Sequence, residues 1–146
     1  MSFDIKKFKK TKFESRTETI SVPSLSQFFS EEDKPEFVVR GLTGEEFARV
    51  REAQAKYKNV SALVEALAGA NQKEKIEAIN ESLGIGAEGL PEDMVRRLEM
   101  IQHGSVEPEI DLEAARKIFQ VAPVTAYEIT NKIQELSGQG MKPGEQ

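Results

Sequence analysis

Apolar residues recur at three- to four-residue spacing along most of the chain after residue 41, which is the period of one helical face. The clearest case is the segment 123–140, where four large apolar side chains share a face: Tyr127, Ile129, Ile133 and Leu136. Pro123 stands where the first turn of a helix tolerates proline, and Gly138 follows as a stop signal. This segment predicts a closing helix whose apolar face covers another surface.

Five further helices are predicted upstream of this one. They span about residues 43–58, 61–67, 71–84, 91–104 and 111–122. Thr43 with Glu46, and Asn71 with Glu74, match the capping box that satisfies backbone donors at a helix start. The other starts carry Ser61 as a cap, Pro91 as a first helical residue, and Asp111 as a cap. Residues 85–90 and the stretch through Pro108 are predicted to be loops.

Before residue 41 the pattern favours strands. Residues 16–22 and 36–40 are rich in β-branched and aromatic residues and are bounded by Pro23, Pro35 and Gly41. The two strands can pair across the polar connection 24–34, and Phe28 and Phe29 within it are expected to dock on the core. The alternative is that residues 37–39 are an isolated extended segment, because a lone two-stranded ribbon is marginal.

The fold class is therefore mainly α. We expect a compact bundle of about six short helices, preceded by a short β ribbon and a basic N-terminal arm. The arm covers residues 1–16 and is expected to be flexible, and residues 17–137 form one domain. The tail 138–146 has three glycines and no aromatic residue, so it cannot bury enough apolar surface to become ordered. A chain of 146 residues with 38% hydrophobic residues suits one soluble domain.

Charge is unevenly distributed along the chain. The net charge is -5, but the arm holds six cations against two carboxylates, so it is +4 and the remainder is -9. Phe3, Ile5, Phe8 and Phe13 interrupt the lysines of the arm. Such an arm can be a solvated terminus, a segment that folds against a neighbouring chain, or a site for nucleic acid, whose bases stack on aromatic rings.

The residue types that carry most enzyme chemistry are scarce. The chain has no cysteine, which excludes disulfides and thiolate metal sites, and its one histidine, His103, has no nucleophile or further ligand at a matching spacing. We interpret His103 as a histidine at a helix end, and the acidic pairs in loops as solvated charge. Gly86 and Gly89 lack the strand and lysine of a phosphate loop. We expect no enzyme activity, no cofactor and no metal.

No apolar run approaches the roughly 18 residues of a membrane helix, and the first residues do not form a signal peptide. The expected protein is soluble and intracellular. Interface anchors favour aromatic residues, and apolar helical faces can receive a partner. The candidate partner-binding residues are Phe37, Val39, Leu42, Phe119, Tyr127, Ile133 and Leu136. Phe119 and Tyr127 also stand at core spacing, and for these two core packing is the favoured interpretation.

Two segments are similar to a known family. Val22-Pro-Ser-Leu25 followed by Phe37-Val-Val-Arg-Gly-Leu-Thr-Gly-Glu-Glu-Phe47 resembles the N-terminal signature of the tail assembly chaperones of long-tailed, lambdoid-type bacteriophages. Residues 129–140, preceded by Ala122 and Pro123, resemble the closing helix of that family, with Ile129 and Ser137 as conservative departures. The two signatures cover about a quarter of the chain, in the family's order.

The resemblance implies a phage or prophage morphogenesis chaperone in the host cytoplasm. Such a protein coats the long helical tape measure protein, recruits tail tube subunits to it, and is absent from the mature virion. The family also implies a homo-oligomer and a longer product made by ribosomal frameshifting, for which the tail is a suitable attachment point. The competing hypothesis is a small regulatory protein that binds nucleic acid through its basic arm. Nucleic acid is the less favoured partner, because no helix rich in arginine or lysine stands behind the arm.

Overall fold

The computed structural model describes residues 2–67 and 90–144 of the chain, and side chains throughout these ranges except at 60–67. The described part is mainly helical, as the sequence predicted, with a small antiparallel sheet. Its α-helices are α1 (Ile5–Lys10), α2 (Gly44–Leu67), α3 (Glu92–Gly104), α4 (Leu112–Val121) and α5 (Pro123–Gly138), and a 3-10 helix, η1, spans Pro23–Phe28. The strands are β1 (Phe13–Glu14), β2 (Thr17–Ser21), β3 (Glu36–Arg40), β4 (Ser105–Glu107) and β5 (Lys142–Pro143).

The pairing predicted before residue 41 is present. β2 and β3 run antiparallel, with Thr17 opposite Arg40 and Ile20 opposite Phe37. The ribbon is extended by β4, which pairs with β3 on its other edge. The sequence predicted a loop at β4, because three residues are too few to show a strand period. A three-stranded sheet therefore replaces the two-stranded ribbon.

Helix α5 is the centre of the packing, as the opening pattern indicated. It contacts α3, α4, β2 and β3. Its inward residues Ile129 and Ile133 are fully buried, together with Leu98 and Ile101 of α3 and Val39 of β3. At about 25 cal/mol per Å² of apolar surface, this burial is the main stabilising term of the fold.

The start of α2 confirms the capping box. The backbone N–H of Glu46 donates to Thr43 Oγ1 at 3.2 Å, and the N–H of Thr43 donates to Glu46 Oε1 at 3.0 Å. The predicted break near Lys58 and the cap at Ser61 are wrong, because α2 continues to Leu67. Neither glycine nor proline stands between Lys58 and Ser61 to end the helix, and serine is tolerated inside a helix.

The third predicted helix, at 71–84, and the predicted loop at 85–90 lie outside the described residues, except for Leu90.

The later helices begin within one residue of the predicted positions. Pro91 is the residue before α3 instead of its first residue, and Asp111 caps α4 by accepting from the N–H of Ala114 at 2.7 Å. Pro123 is the first residue of α5.

The arm and the described part of the tail contact each other, which the sequence analysis did not predict. Asp4 Oδ1 accepts from the N–H of Lys7 at 3.0 Å and caps α1. β1 of the arm pairs with β5 of the tail, and Arg16 Nε donates to the carbonyl of Gly140 at 3.1 Å. These contacts join positions more than 120 residues apart, which a local sequence pattern does not reveal.

Candidate partner-binding surfaces

Six of the seven candidate partner-binding residues lie in the core. Each of the six is at most 6% exposed: Phe37, Val39, Leu42, Phe119, Ile133 and Leu136. Tyr127 differs, because 43% of its surface is exposed. The six belong to the core, although Phe37 also lines an apolar groove, and Tyr127 is the one of the seven whose side chain is largely exposed.

The two segments that carry the family resemblance meet in space. The backbone N–H of Leu42, just after β3, donates to Ser137 Oγ near the end of α5 at 2.8 Å. The same hydroxyl donates to the carbonyl of Ile133 at 2.6 Å. The turn from strand to helix and the closing helix therefore form one structural unit, although 95 residues separate Leu42 from Ser137.

Tyr127 is held at the surface by two neighbours. The ring of Phe119 meets it edge-on at 5.5 Å between centroids, and the guanidinium carbon of Arg97 lies 4.7 Å from its centroid. Arg97 also donates to Thr130 Oγ1 at 2.5 Å and to Asn131 Oδ1 at 3.0 Å. Since Arg97 already covers one face of the ring, Tyr127 offers a partner only part of its aromatic surface.

An apolar groove runs between η1 and α4, and the sequence analysis did not identify it. It encloses about 490 Å³, within the size range of ligand sites. Its main apolar lining residues are Leu25, Phe28, Phe29, Phe37, Ile118 and Val121. Phe28 is 74% exposed and Val121 is 57% exposed, so these two residues form an open apolar rim, whereas Leu25, Phe37 and Ile118 are buried beneath it.

The two adjacent phenylalanines of the connection behave differently. Phe29 packs on the core, with its ring centroid 6.1 Å from that of Phe37, as predicted. The prediction that Phe28 docks on the core is wrong, because η1 turns this side chain outward to the rim of the groove.

The arm presents the other apolar surface. Phe3, Ile5 and Phe8 are 65%, 57% and 52% exposed, and Phe13 is 37% exposed. The rings of Phe3 and Phe8 are 5.3 Å apart, and those of Phe8 and Phe13 are 5.5 Å apart. We call Phe3, Phe8 and Phe13 the aromatic ladder. None of the residues of α1 is buried, and none of the three ladder residues belongs to the core clusters formed by the described residues.

His103 lies beside the ion pair of Arg40 with Glu46, in a polar network that links β3, α2 and α3. Arg40 donates to both carboxylate oxygens of Glu46, at 2.8 and 2.5 Å. These hydrogen bonds lower the pKa of Glu46 to about 2. The ring nitrogens of His103 lie 3.9 Å from Glu46 Oε2 and 3.7 Å from Glu99 Oε2, and burial raises the pKa of Glu99. The network ties the capping box of α2 to the last turn of α3.

Within residues 2–67 and 90–144, no three histidine or acidic side chains are grouped so as to hold a metal ion. In the same part of the chain, no helix has the length and apolar character that a membrane crossing requires. Comparisons of the chain with protein-family models, with curated proteins and with solved structures find no match. The groove, the exposed arm and the two resembling segments remain as the features of the described chain that point to a function.

Proposed function

We propose that this protein is a phage tail morphogenesis chaperone that coats the tape measure protein, recruits tail tube subunits to it, and does not remain in the mature virion. The observation that carries the proposal is the apolar groove between η1 and α4. A surface of this kind suits an amphipathic or apolar helix, which places side chains at i, i+3, i+4 and i+7 into a groove. The meeting of the two resembling segments at Leu42 and Ser137 is consistent with it.

The groove supplies the contact that such a chaperone needs. Phe28 and Val121 at its rim are largely exposed, and a helix that packs between them removes apolar surface from water on both partners. One short groove gives moderate affinity. Many copies along one long helix raise the total affinity without further contacts in each copy. The chaperone therefore masks the apolar helix of the tape measure protein, while tail tube subunits can still replace each copy.

The remaining parts of the proposal come from the resemblance. Tail tube subunits and the longer frameshift product are the further partners. The longer product would continue from the tail, which in this structure runs beside the arm through the pairing of β5 with β1. The proposed location is the host cytoplasm.

Co-expression with the tape measure protein tests the proposal. With the wild-type chain, the tape measure protein should become soluble and co-purify with several copies of the chaperone. Val121→Asp places a charge in the groove and should abolish this effect, because desolvating an unpaired carboxylate is costly. Val106→Asp is the matched control, since Val106 is also an exposed valine, at 43%, but lies on β4 outside the groove. A tape measure protein that stays insoluble with the wild-type chain would refute the proposal.

One observation favours a second candidate function, that of a small regulatory protein that binds nucleic acid through its basic arm. The aromatic ladder stands among lysines and is exposed, and exposed aromatic rings among basic residues can stack on the bases of single-stranded nucleic acid. Two features argue against it. The rings of the ladder pack on one another, and the body of charge -9 repels phosphate.

A further inference from the structure

The arm carries apolar side chains that the described part of its own chain leaves uncovered. Phe3, Ile5 and Phe8 are each more than half exposed. Residues 2–11 form no hydrogen bond, ion pair or ring contact with the described residues outside the arm. None of the three apolar side chains packs against the core clusters of the described chain. A partner for this surface must therefore come from outside the described residues.

The same segment carries an excess of positive charge. Five of its lysines are exposed, and none of them forms an ion pair with a described residue: Lys6, Lys7, Lys9, Lys10 and Lys12. The two carboxylates of the arm are already engaged, because Asp4 caps α1 and Glu14 lies 3.5 Å from Lys142 of the tail. The charge of the lysines is therefore available to an anionic partner.

Helix α1 separates its apolar residues from most of its cations. Ile5 and Phe8 are three residues apart and lie on one side of the helix, and the lysines occupy the rest of its surface. An amphipathic segment with lysines on one face and phenylalanine on the other is typical of helices that lie in the interface of a lipid bilayer. A cluster of four to eight basic residues on such a helix is typical of binding to anionic headgroups.

The geometry of the aromatic ladder favours lipid over nucleic acid. Its adjacent rings are 5.3 and 5.5 Å apart and tilted by 54° and 55°, so each ring covers part of its neighbour. Stacking on a base requires an open ring face. Insertion among acyl chains requires only exposed apolar surface, and the three rings can enter together without separating. The packing of Phe8 between Phe3 and Phe13 is therefore compatible with a lipid partner.

We propose that the N-terminal arm binds the surface of an anionic lipid bilayer, with α1 along the interface, the aromatic ladder inserted below the headgroups and the lysines beside the lipid phosphates. This activity goes beyond the chaperone function and does not depend on it. The rest of the chain has a charge of -9 and opposes every anionic surface, so the contact is reversible and needs a high fraction of anionic lipid. The tail holds the base of the arm in place, since the N–H of Gly144 donates to the carbonyl of Lys12 at 2.8 Å.

Co-sedimentation with vesicles tests the role of the lysines in the full-length protein. The wild type should bind vesicles of equal parts phosphatidylglycerol and phosphatidylcholine, and should not bind phosphatidylcholine alone. Lys6→Gln with Lys10→Gln should lower the partition coefficient about tenfold or more, because each lysine at an anionic surface contributes about fivefold. The control, Lys34→Gln with Lys56→Gln, removes the same charge from exposed lysines outside the arm and should bind nearly as the wild type. Equal loss in the two double variants would overturn the proposal, since net charge alone would then explain the binding.

Insertion of the ladder is measured separately, because the chain has no tryptophan. The emission of a Phe8→Trp chain should shift to shorter wavelength when the anionic vesicles are added, as the ring enters an apolar region. Val124→Trp is the control, since Val124 is 69% exposed on α5 outside the arm, and its emission should not change. Phe8→Ser should lower vesicle binding about tenfold or more through the loss of apolar burial. No residue of α1 is buried, so these arm variants should fold, and circular dichroism checks this.

Three results would refute the proposal. They are a wild type that does not sediment with the anionic vesicles, an unchanged emission at position 8, and binding that Phe8→Ser retains in full. An emission change at position 8 that single-stranded DNA causes and vesicles do not would replace the lipid partner with nucleic acid. None of these results bears on the tape measure protein, whose solubility in co-expression tests the chaperone function by itself.

Discussion

The backbone of Gly41 lies directly against the backbone of Leu136. A Cβ added at Gly41 would come within 2.9 Å of the Leu136 carbonyl carbon and within 2.9 Å of the Ser137 nitrogen. The hydrogen bond from the next residue, Leu42, to Ser137 Oγ fixes this approach. The end of β3 can therefore meet the end of α5 only because residue 41 has no side chain.

Gly41→Ala should destabilise the protein. The atoms that the new Cβ would meet belong to the backbone, so a strand or a helix end must move, and overpacking of this kind costs about 1–3 kcal/mol. Gly44→Ala is the control, because a Cβ at Gly44 has no neighbour within 4 Å. Equilibrium denaturation of both variants measures the difference in free energy of unfolding. If the two glycines tolerate alanine equally well, the close approach of Gly41 to Leu136 is wrong.

The ion pair of Arg40 with Glu46 predicts a dependence of stability on pH. The pKa of Glu46 falls from 4.5 to about 2 in the folded protein, chiefly because Arg40 donates hydrogen bonds to its carboxylate. A lowered pKa stabilises the fold above pH 4.5, and this stabilisation is lost as the pH falls towards 2. Each pKa unit corresponds to about 1.4 kcal/mol, and partial exposure of the pair reduces the effect to about 1–2 kcal/mol.

Glu46→Gln should therefore be less stable than the wild type at pH 7, and the difference should shrink as the pH falls from about 4.5 to about 2. Glutamine keeps an oxygen that can accept from Thr43, so the substitution tests the charge and preserves the cap. Glu45→Gln, exposed in the same helical turn, is the control. Denaturant midpoints measured across the acid range give the answer. A constant difference between wild type and Glu46→Gln over this range would contradict the prediction.

Removing residues 139–146 should leave the unfolding midpoint nearly unchanged, because the described tail is exposed and buries little. The deletion should instead release the arm, since it removes β5, the partner of β1, and the acceptor of Arg16 at Gly140. Trypsin should then cleave the lysine-rich residues 6–12 faster than in the full chain. Equal cleavage rates would show that the tail does not hold the arm.

Local signals gave the most accurate predictions. The capping box of Thr43 and Glu46, the cap at Asp111 and the proline at position 123 depend on residues within one turn, and all are present. The helical period placed α3, α4 and α5 well. The merging of two predicted helices into α2 shows the limit of one such signal, because a serine that can cap a helix can also lie inside one.

Contacts between distant residues could not be predicted. β4 and the β1–β5 pair are two or three residues long, and their partners are fixed by the packing of the helices between them. The groove combines η1 with α4, about 90 residues later, so only a structure brings Phe28 and Val121 together. Most of the predicted partner-binding residues are buried for a related reason. Helical spacing marks the face that packs, and it does not distinguish a core from an interface.

Binding as a function of salt concentration tests the central claim most directly. The purified chain is titrated into a labelled apolar helical segment of the tape measure protein and, separately, into single-stranded and double-stranded DNA. Apolar contacts are not screened by ions, whereas each phosphate contact releases counterions. The chaperone account predicts that the helical segment binds with an affinity that changes little with salt, and that Val121→Asp weakens this binding. Binding to DNA alone, with an affinity that collapses as salt rises, would contradict it.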